Sequence, residues 1–141
     1  MADVTPHHPG DEDLRRILEE SKTIAVVGLS SKPDRASNEV AAYLKEHGYR
    51  IIPVNPKEEQ VLGERSYDSL GEIPEPVDVV DVFRRAEDTP PVAREAAQIG
   101  AKVLWLQEDI VSDEARKIAE EGGLDVVMGI CIKKTRQRLV G

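Results

Sequence analysis

TIAVVGLSSKPDR (residues 23–35), followed by ASNEVAAYLKEH (36–47), decides the fold. Its first residues form an uninterrupted apolar run closed by Gly28. A short continuous run of that kind suits a strand buried on both faces, as in a parallel sheet. LSSKPDR (29–35) reads as a loop, and from Ser37 to His47 the residues Val40, Ala41 and Leu44 recur at helical spacing. Ser37 suits the N-cap of that helix, and Gly48 suits the position just past its end. Strand, polar loop and helix in this order make the opening unit of an α/β sheet.

The alternation continues outward in both directions. Upstream, DEDLRRILEES (11–21) is a short amphipathic helix, with its acids at the start and Leu14, Ile17 and Leu18 on one face. Residues 1–10 are polar, with two prolines and a glycine, and read as a flexible arm. Downstream, RIIPVN (50–55) is a second strand, which Pro53 demotes to an edge or a bulge and Pro56 ends. A loop follows, with a short extra strand around Val61. Further strands are VDVVDVF (77–83), KVLWL (102–106) and DVVM (125–128). Helices are expected at Val92–Ile99 and Ser112–Glu121, and residues 132–140 read as a solvated basic tail. The sequence therefore predicts an α/β fold: a single doubly wound parallel sheet of the Rossmann type over residues 11–141.

Composition sets outer bounds. The chain has 141 residues, 40 % of them apolar, which suits one globular domain. Its 27 acidic and 19 basic side chains give a net charge of −8. That balance argues against nucleic acid as a partner, since phosphate backbones need a basic face. No apolar run approaches the ~18 residues that span a bilayer, and MADVTPHHPGDED lacks the basic and apolar regions of a secretory signal. A single cysteine excludes an internal disulfide framework and a multi-cysteine zinc site. A cytoplasmic protein without a membrane partner is expected.

In an open α/β sheet, ligands bind beyond the carboxyl ends of the strands. That rule selects Gly28, Leu29, Ser30, Ser31, Lys32, Pro33, Asp34 and Arg35 after the first strand, and Asn55, Pro56 and Lys57 after the second. Arg84 and Arg85, Gln107, and Gly129, Ile130 and Cys131 follow the others. The first loop ends at a helix N-terminus, which attracts phosphate, and Ser30, Ser31 and Ser37 add donors. Lys32, Arg35, Lys57 and Arg84 concentrate positive charge in an acidic chain, which suits capture of an anionic small molecule. The dinucleotide pattern G-x-G-x-x-G is incomplete, because only Gly28 is present. Where an NAD site places an acid on the ribose, this chain has Asn55-Pro56-Lys57. Lysine there favours a ligand with an additional ribose phosphate, NADP or coenzyme A.

IAVVGLSSKPDRASNEVAAYLKEHGYRIIPVNP, with VDVVDVFR, LWLQ and MGICIKK after it, resembles the small CoA-binding proteins. These are similar to the N-terminal domain of the succinyl-CoA synthetase α subunit. The resemblance runs from about residue 15 to 139. It implies a Rossmann-like domain that binds coenzyme A, free or acylated, through its ADP part. By position it implies that Gly28, Ser30 and Arg35 hold the pyrophosphate region, with Ser37 at the helix start. Asn55, Pro56 and Lys57 would line the adenosine and its phosphate. Val82, Phe83 and Arg84 would border the cofactor at the switch point, and Trp105 and Gln107 would lie near the pantetheine exit.

The residues offer no catalytic constellation. A ligase of the succinyl-CoA synthetase kind phosphorylates a histidine on a second domain. Here His7 and His8 fall in the arm, and His47 ends the helix that runs away from the ligand edge. Cys131 lies beyond the last strand, where a thiol could meet the thiol of coenzyme A, although a small buried hydrophobe is the preferred reading. Asp78 and Asp81 do not make a general acid and base without an evident substrate. The expected function is a non-catalytic carrier, sensor or partner module for an acyl-transferring protein, with a homo-oligomer as a further option. The alternatives are an NADP-dependent oxidoreductase, with Tyr67 as its one testable proton donor, and a fold kept only as an interaction surface.

Overall fold

The computed structural model describes residues 5–141. The apolar run Thr23–Val27 forms β1, second in a five-stranded sheet with all pairings parallel. Arg50–Val54 (β2) is its outer neighbour. On the inner side follow Val79–Val82 (β5), Val103–Leu106 (β6) and Asp125–Met128 (β7), so the order is β2-β1-β5-β6-β7. Gln60–Val61 (β3) and Glu64–Arg65 (β4) make a separate small antiparallel pair. Pro53 lies in an edge strand, as its missing N–H requires.

Helices cover both faces, which is the doubly wound arrangement. Side chains alternate along β1. Ile24 and Val26 pack with Leu14 and Leu18 of Asp11–Glu20 (α1) and with Val40 and Leu44 of Ala36–Glu46 (α2). Ile132 of Ile132–Leu139 (α5) completes that layer. Ala25 and Val27 face the other way, towards Ala93 and Ala96 of Thr89–Gln98 (α3) and Ala115 and Ala119 of Asp113–Glu121 (α4). The small residues let α3 and α4 approach closely. A Cβ on Gly122 would stand 2.6 Å from that of Ala97. Each fully buried Leu or Val contributes about 1.5–3 kcal/mol of transfer free energy.

Four local expectations are revised. The basic tail expected over 132–140 is helix α5, docked by Ile132 and Leu139 and tied down by Arg138 on Asp11 and Arg136 on Tyr43 and Tyr49. Helix α3 starts at Thr89, three residues earlier than expected, because Pro90 and Pro91 fill its first turn, where no N–H is needed. Ser37 sits inside the first turn of α2 and does not cap it; Arg35 holds the N-cap position without a side-chain cap. The arm is anchored over part of its described length. His7 donates its N–H to Met128 O at 3.0 Å and accepts from Met128 N–H at 2.8 Å, lying antiparallel along β7.

Candidate ligand-binding site

Because every strand of the main sheet runs the same way, all five carboxyl ends share one edge. That edge collects the loop after Gly28, the turn Asn55-Pro56-Lys57, the Phe83-Arg84 step, Gln107, and the Ile130-Cys131 step before α5. Gly28 is fixed by close approach. Its φ is +85°, and an added Cβ would strike the Phe83 carbonyl oxygen of β5's next residue. The loop therefore lies hard against the neighbouring strand end.

The polar residues of the loop brace one another. Ser30 N–H donates to Ser37 Oγ at 3.0 Å, and Lys32 N–H donates to Ser30 Oγ at 3.1 Å. Asn38 Nδ2 donates to Ser30 O at 2.9 Å, and Asn55 Nδ2 donates to Leu29 O at 3.0 Å. Asn55 Oδ1 accepts from Lys57 N–H at 3.0 Å, shaping the second turn. Ser31 differs: its N–H donates to the Glu58 carboxylate at 2.9 Å. Hydrogen bonds from the Ser31 side chain and backbone hold the Glu58 carboxyl below its ordinary value, with Lys32 adding to the effect. Glu58 thus occupies a position that suits an external anion.

Some cations are paired within the chain and others are not. Arg50 is paired with Glu75, Arg138 with Asp11 and Lys134 with Glu108. Lys32, Arg35, Lys57 and Arg84 form no ion pair or hydrogen bond through their side chains among the described residues. Arg84 Nε lies 3.5 Å from where a Gly28 Cβ would sit, so its guanidinium leans over the loop. Four cations without an ion-pair or hydrogen-bond partner therefore gather at one edge of a chain whose net charge is −8.

Beside this edge is a cleft of about 400 Å³ between α2, α5 and the end of β6. Val40, Phe83, Ile110 and Cys131 give it an apolar wall, and Gln107 lines it as well. Two ion pairs lie along it, Lys133 to Glu39 at 3.2 Å and Lys134 to Glu108 at 2.9 Å. A larger cavity, about 480 Å³, lies at the opposite, amino end of the strands, near Asp78, Lys102 and Asp125. Its carboxylate Asp78 is already engaged by the N–H groups of Lys22 and Thr23 at 2.9 and 3.0 Å.

Most residues expected at the site share this edge: Gly28, Ser30, Ser31, Lys32, Arg35, Ser37, Asn55, Pro56, Lys57, Phe83, Arg84 and Gln107. The Val82 side chain does not; it is fully buried in the α3–α4 layer, leaving only its backbone near the edge. Trp105 is core, as its apolar strand suggests, and its Nε1 donates to Ile130 O at 2.9 Å, which fixes the loop before α5. His47 lies at the end of α2 with its ring nitrogen 2.7 Å from Tyr43 O, and Tyr67 packs against the α3–α4 layer. Glu58, Asn38 and Ile110 escape sequence reasoning, since nothing in their spacing marks them. No helix among the described residues is long and apolar enough to cross a membrane.

The family model described as CoA binding domain matches residues 22–137. The protein YneT of Bacillus subtilis (strain 168) is 45 % identical over 126 residues, covering 89 % of this chain and 93 % of that one. Subunit alpha of ADP-forming acetate–CoA ligase I from Pyrococcus furiosus is 34 % identical over 125 residues, or 84 % of this chain, and the match spans 24 % of the relative's length. Among solved structures, a hypothetical protein from Pyrococcus horikoshii OT3 superposes with a TM-score of 0.94 at 44 % identity, covering 100 % of both chains. A Thermus thermophilus structure gives a TM-score of 0.89 at 37 % identity, covering 93 % of this chain and 99 % of that one.

Proposed function

The chain belongs to the family of CoA-binding domains, and from that premise we propose that it binds coenzyme A, free or acylated, through the ADP end of the molecule at the carboxyl edge of its sheet. The observation that carries this reading is the set of four unpaired cations, Lys32, Arg35, Lys57 and Arg84, around a loop closed against β5 by Gly28. Such a loop leading into a helix start suits a pyrophosphate. Lys57, beyond the second strand, suits the ribose phosphate. Ser30, Ser37 and Asn55 act chiefly by shaping the loops, since their side chains already hold backbone partners. Phe83 and Gln107 border the path from the nucleotide towards the cleft.

The protein acts as a cytoplasmic carrier, sensor or partner of an acyl-transferring protein. The ADP-forming acetate–CoA ligases to which it is similar support that setting. Calorimetry and thermal shift with coenzyme A, dephospho-coenzyme A and NADP test the reading. A ligand that binds only the folded state stabilises it by about 2.7 kcal/mol at 100 times its dissociation constant. Coenzyme A should bind more tightly than NADP, and removal of the ribose phosphate should weaken it. Preference for NADP, or no response to any of the three, overturns the reading.

A further inference from the structure

Building on the coenzyme A reading, we propose that the cleft beside the cation edge receives the thiol end of the molecule and that Cys131 captures it there as a mixed disulfide. The cleft begins where the cationic edge stops. Ala36, on its wall, follows Arg35, and Phe83 precedes Arg84. A ligand anchored by its phosphates at the edge therefore has a direct path along Phe83 into the apolar part, where Cys131 is 8 % exposed.

Gln107 supplies an independent sign that this cleft is built for a ligand. It is only 4 % exposed, and its Oε1 accepts from Ile132 N–H at 3.1 Å, which orients the carboxamide. Its Nε2 has no partner among the described residues, and the side chain lines the cleft. That N–H group opens on the cleft and is free to donate to an acceptor on a ligand. The arm of coenzyme A carries amide carbonyls along its length and a thiol at its tip. One carbonyl on Gln107 Nε2 places the tip towards Cys131, the next residue before the Ile132 N–H that Gln107 holds.

The chemistry is thiol–disulfide exchange with the symmetric disulfide of coenzyme A. The Cys131 thiolate attacks one sulfur of that disulfide. The Cys131–S bond forms as the S–S bond breaks, and one coenzyme A leaves as thiolate and takes up the proton Cys131 released. Cys131 and the bound half share the oxidised state, and the departing half is reduced. The sequence holds no second cysteine, so an external thiol must resolve the adduct. The site would then report how much of the coenzyme A pool is oxidised.

Intact-mass measurement after incubation with coenzyme A disulfide, set against glutathione disulfide, tests this. The expected product is one adduct per chain, heavier by one coenzyme A less two hydrogens, and absent in Cys131→Ser. Prior binding should make the coenzyme A reaction at least about tenfold faster than the glutathione one. Gln107→Glu, which keeps the acceptor for Ile132 N–H and loses the donor, should slow it. Calorimetry of the wild type with coenzyme A under reducing conditions separates the two readings. Binding without an adduct overturns the cysteine proposal alone. Equal rates with both disulfides overturn it too, by showing an ordinary accessible thiol. Neither binding nor adduct removes both readings together.

Discussion

Replacing Asp81 by valine should stabilise the protein and flatten its response to pH. Asp81 lies in the middle of the sheet, in register with Val26 on one side and Trp105 on the other. It is fully buried, and neither carboxyl oxygen has a hydrogen-bond partner among the described residues. Burial raises its carboxyl well above the ordinary value of 3.8. The folded protein therefore keeps a proton that the unfolded chain has released. Stability is unaffected below the ordinary value and falls as pH rises above it, by about 1.4 kcal/mol per pH unit, until the raised folded value is passed. Asp11, Glu58 and Glu75 act in the opposite sense. Arg138, Ser31 and Arg50 lower their values, so their stabilisation is complete above the ordinary carboxylate range and is lost only in acid. Asp81 thus contributes a fall in stability above the ordinary carboxylate range. Valine has a similar branched shape and removes two unpaired oxygens, each worth about 1–3 kcal/mol when buried. Urea unfolding at about pH 5, 6 and 7, with an unchanged m-value, gives the difference. An Asp81→Val protein that is less stable throughout, with the wild-type slope retained, would refute the reasoning.

Three further outcomes follow from the site. Gly28→Ala must place a Cβ against the Phe83 carbonyl at positive φ, which should cost about 1–3 kcal/mol in a thermal or urea melt and weaken coenzyme A binding as well; a melt identical to wild type would contradict the close approach. Glu58→Ala frees Ser31 N–H and removes a carboxylate from an anion's place, so coenzyme A should bind several-fold more tightly, in keeping with about 0.5–1.5 kcal/mol for one hydrogen bond; weaker binding would show that Glu58 helps the ligand. Lys57→Ala should weaken coenzyme A by roughly tenfold but leave dephospho-coenzyme A nearly unchanged, as expected for a charged contact of about 1.5 kcal/mol; equal losses for both ligands would move Lys57 away from the ribose phosphate.

Features set by local chemistry were legible in the sequence. The apolar run at 23–27 and the helical stripe of Val40, Ala41 and Leu44 need only their own periodicity to be read, and Pro53 marks an edge by its missing N–H. The carboxyl-edge rule then collected most of the candidate site without any side-chain detail. Helix α5 was illegible for a physical reason. Its apolar face is narrow and interrupted by four cations, and what holds it is distant: Gln107 on Ile132 N–H, and Arg136 on Tyr43 and Tyr49. Ser37 has the right chemistry for a cap, yet its hydroxyl serves Ser30 across the loop. Composition could not foresee which cations stay unpaired, because pairing depends on which carboxylates the fold brings near.

The two margins of the sheet carry a consequence for how this molecule meets others. On the β2 side Tyr67 lies alongside, donating to Pro53 O at 3.0 Å and accepting from Asn55 N–H at 2.9 Å. On the β7 side His7 does the same for Met128. Neither border therefore offers a full row of free amides to a strand from another chain, the usual seed of fibrils and swapped dimers. Association through helical faces, loops or the cleft leaves these segments in place. The same wrapping makes it a portable unit, able to stand beside unrelated segments without its sheet fusing to theirs.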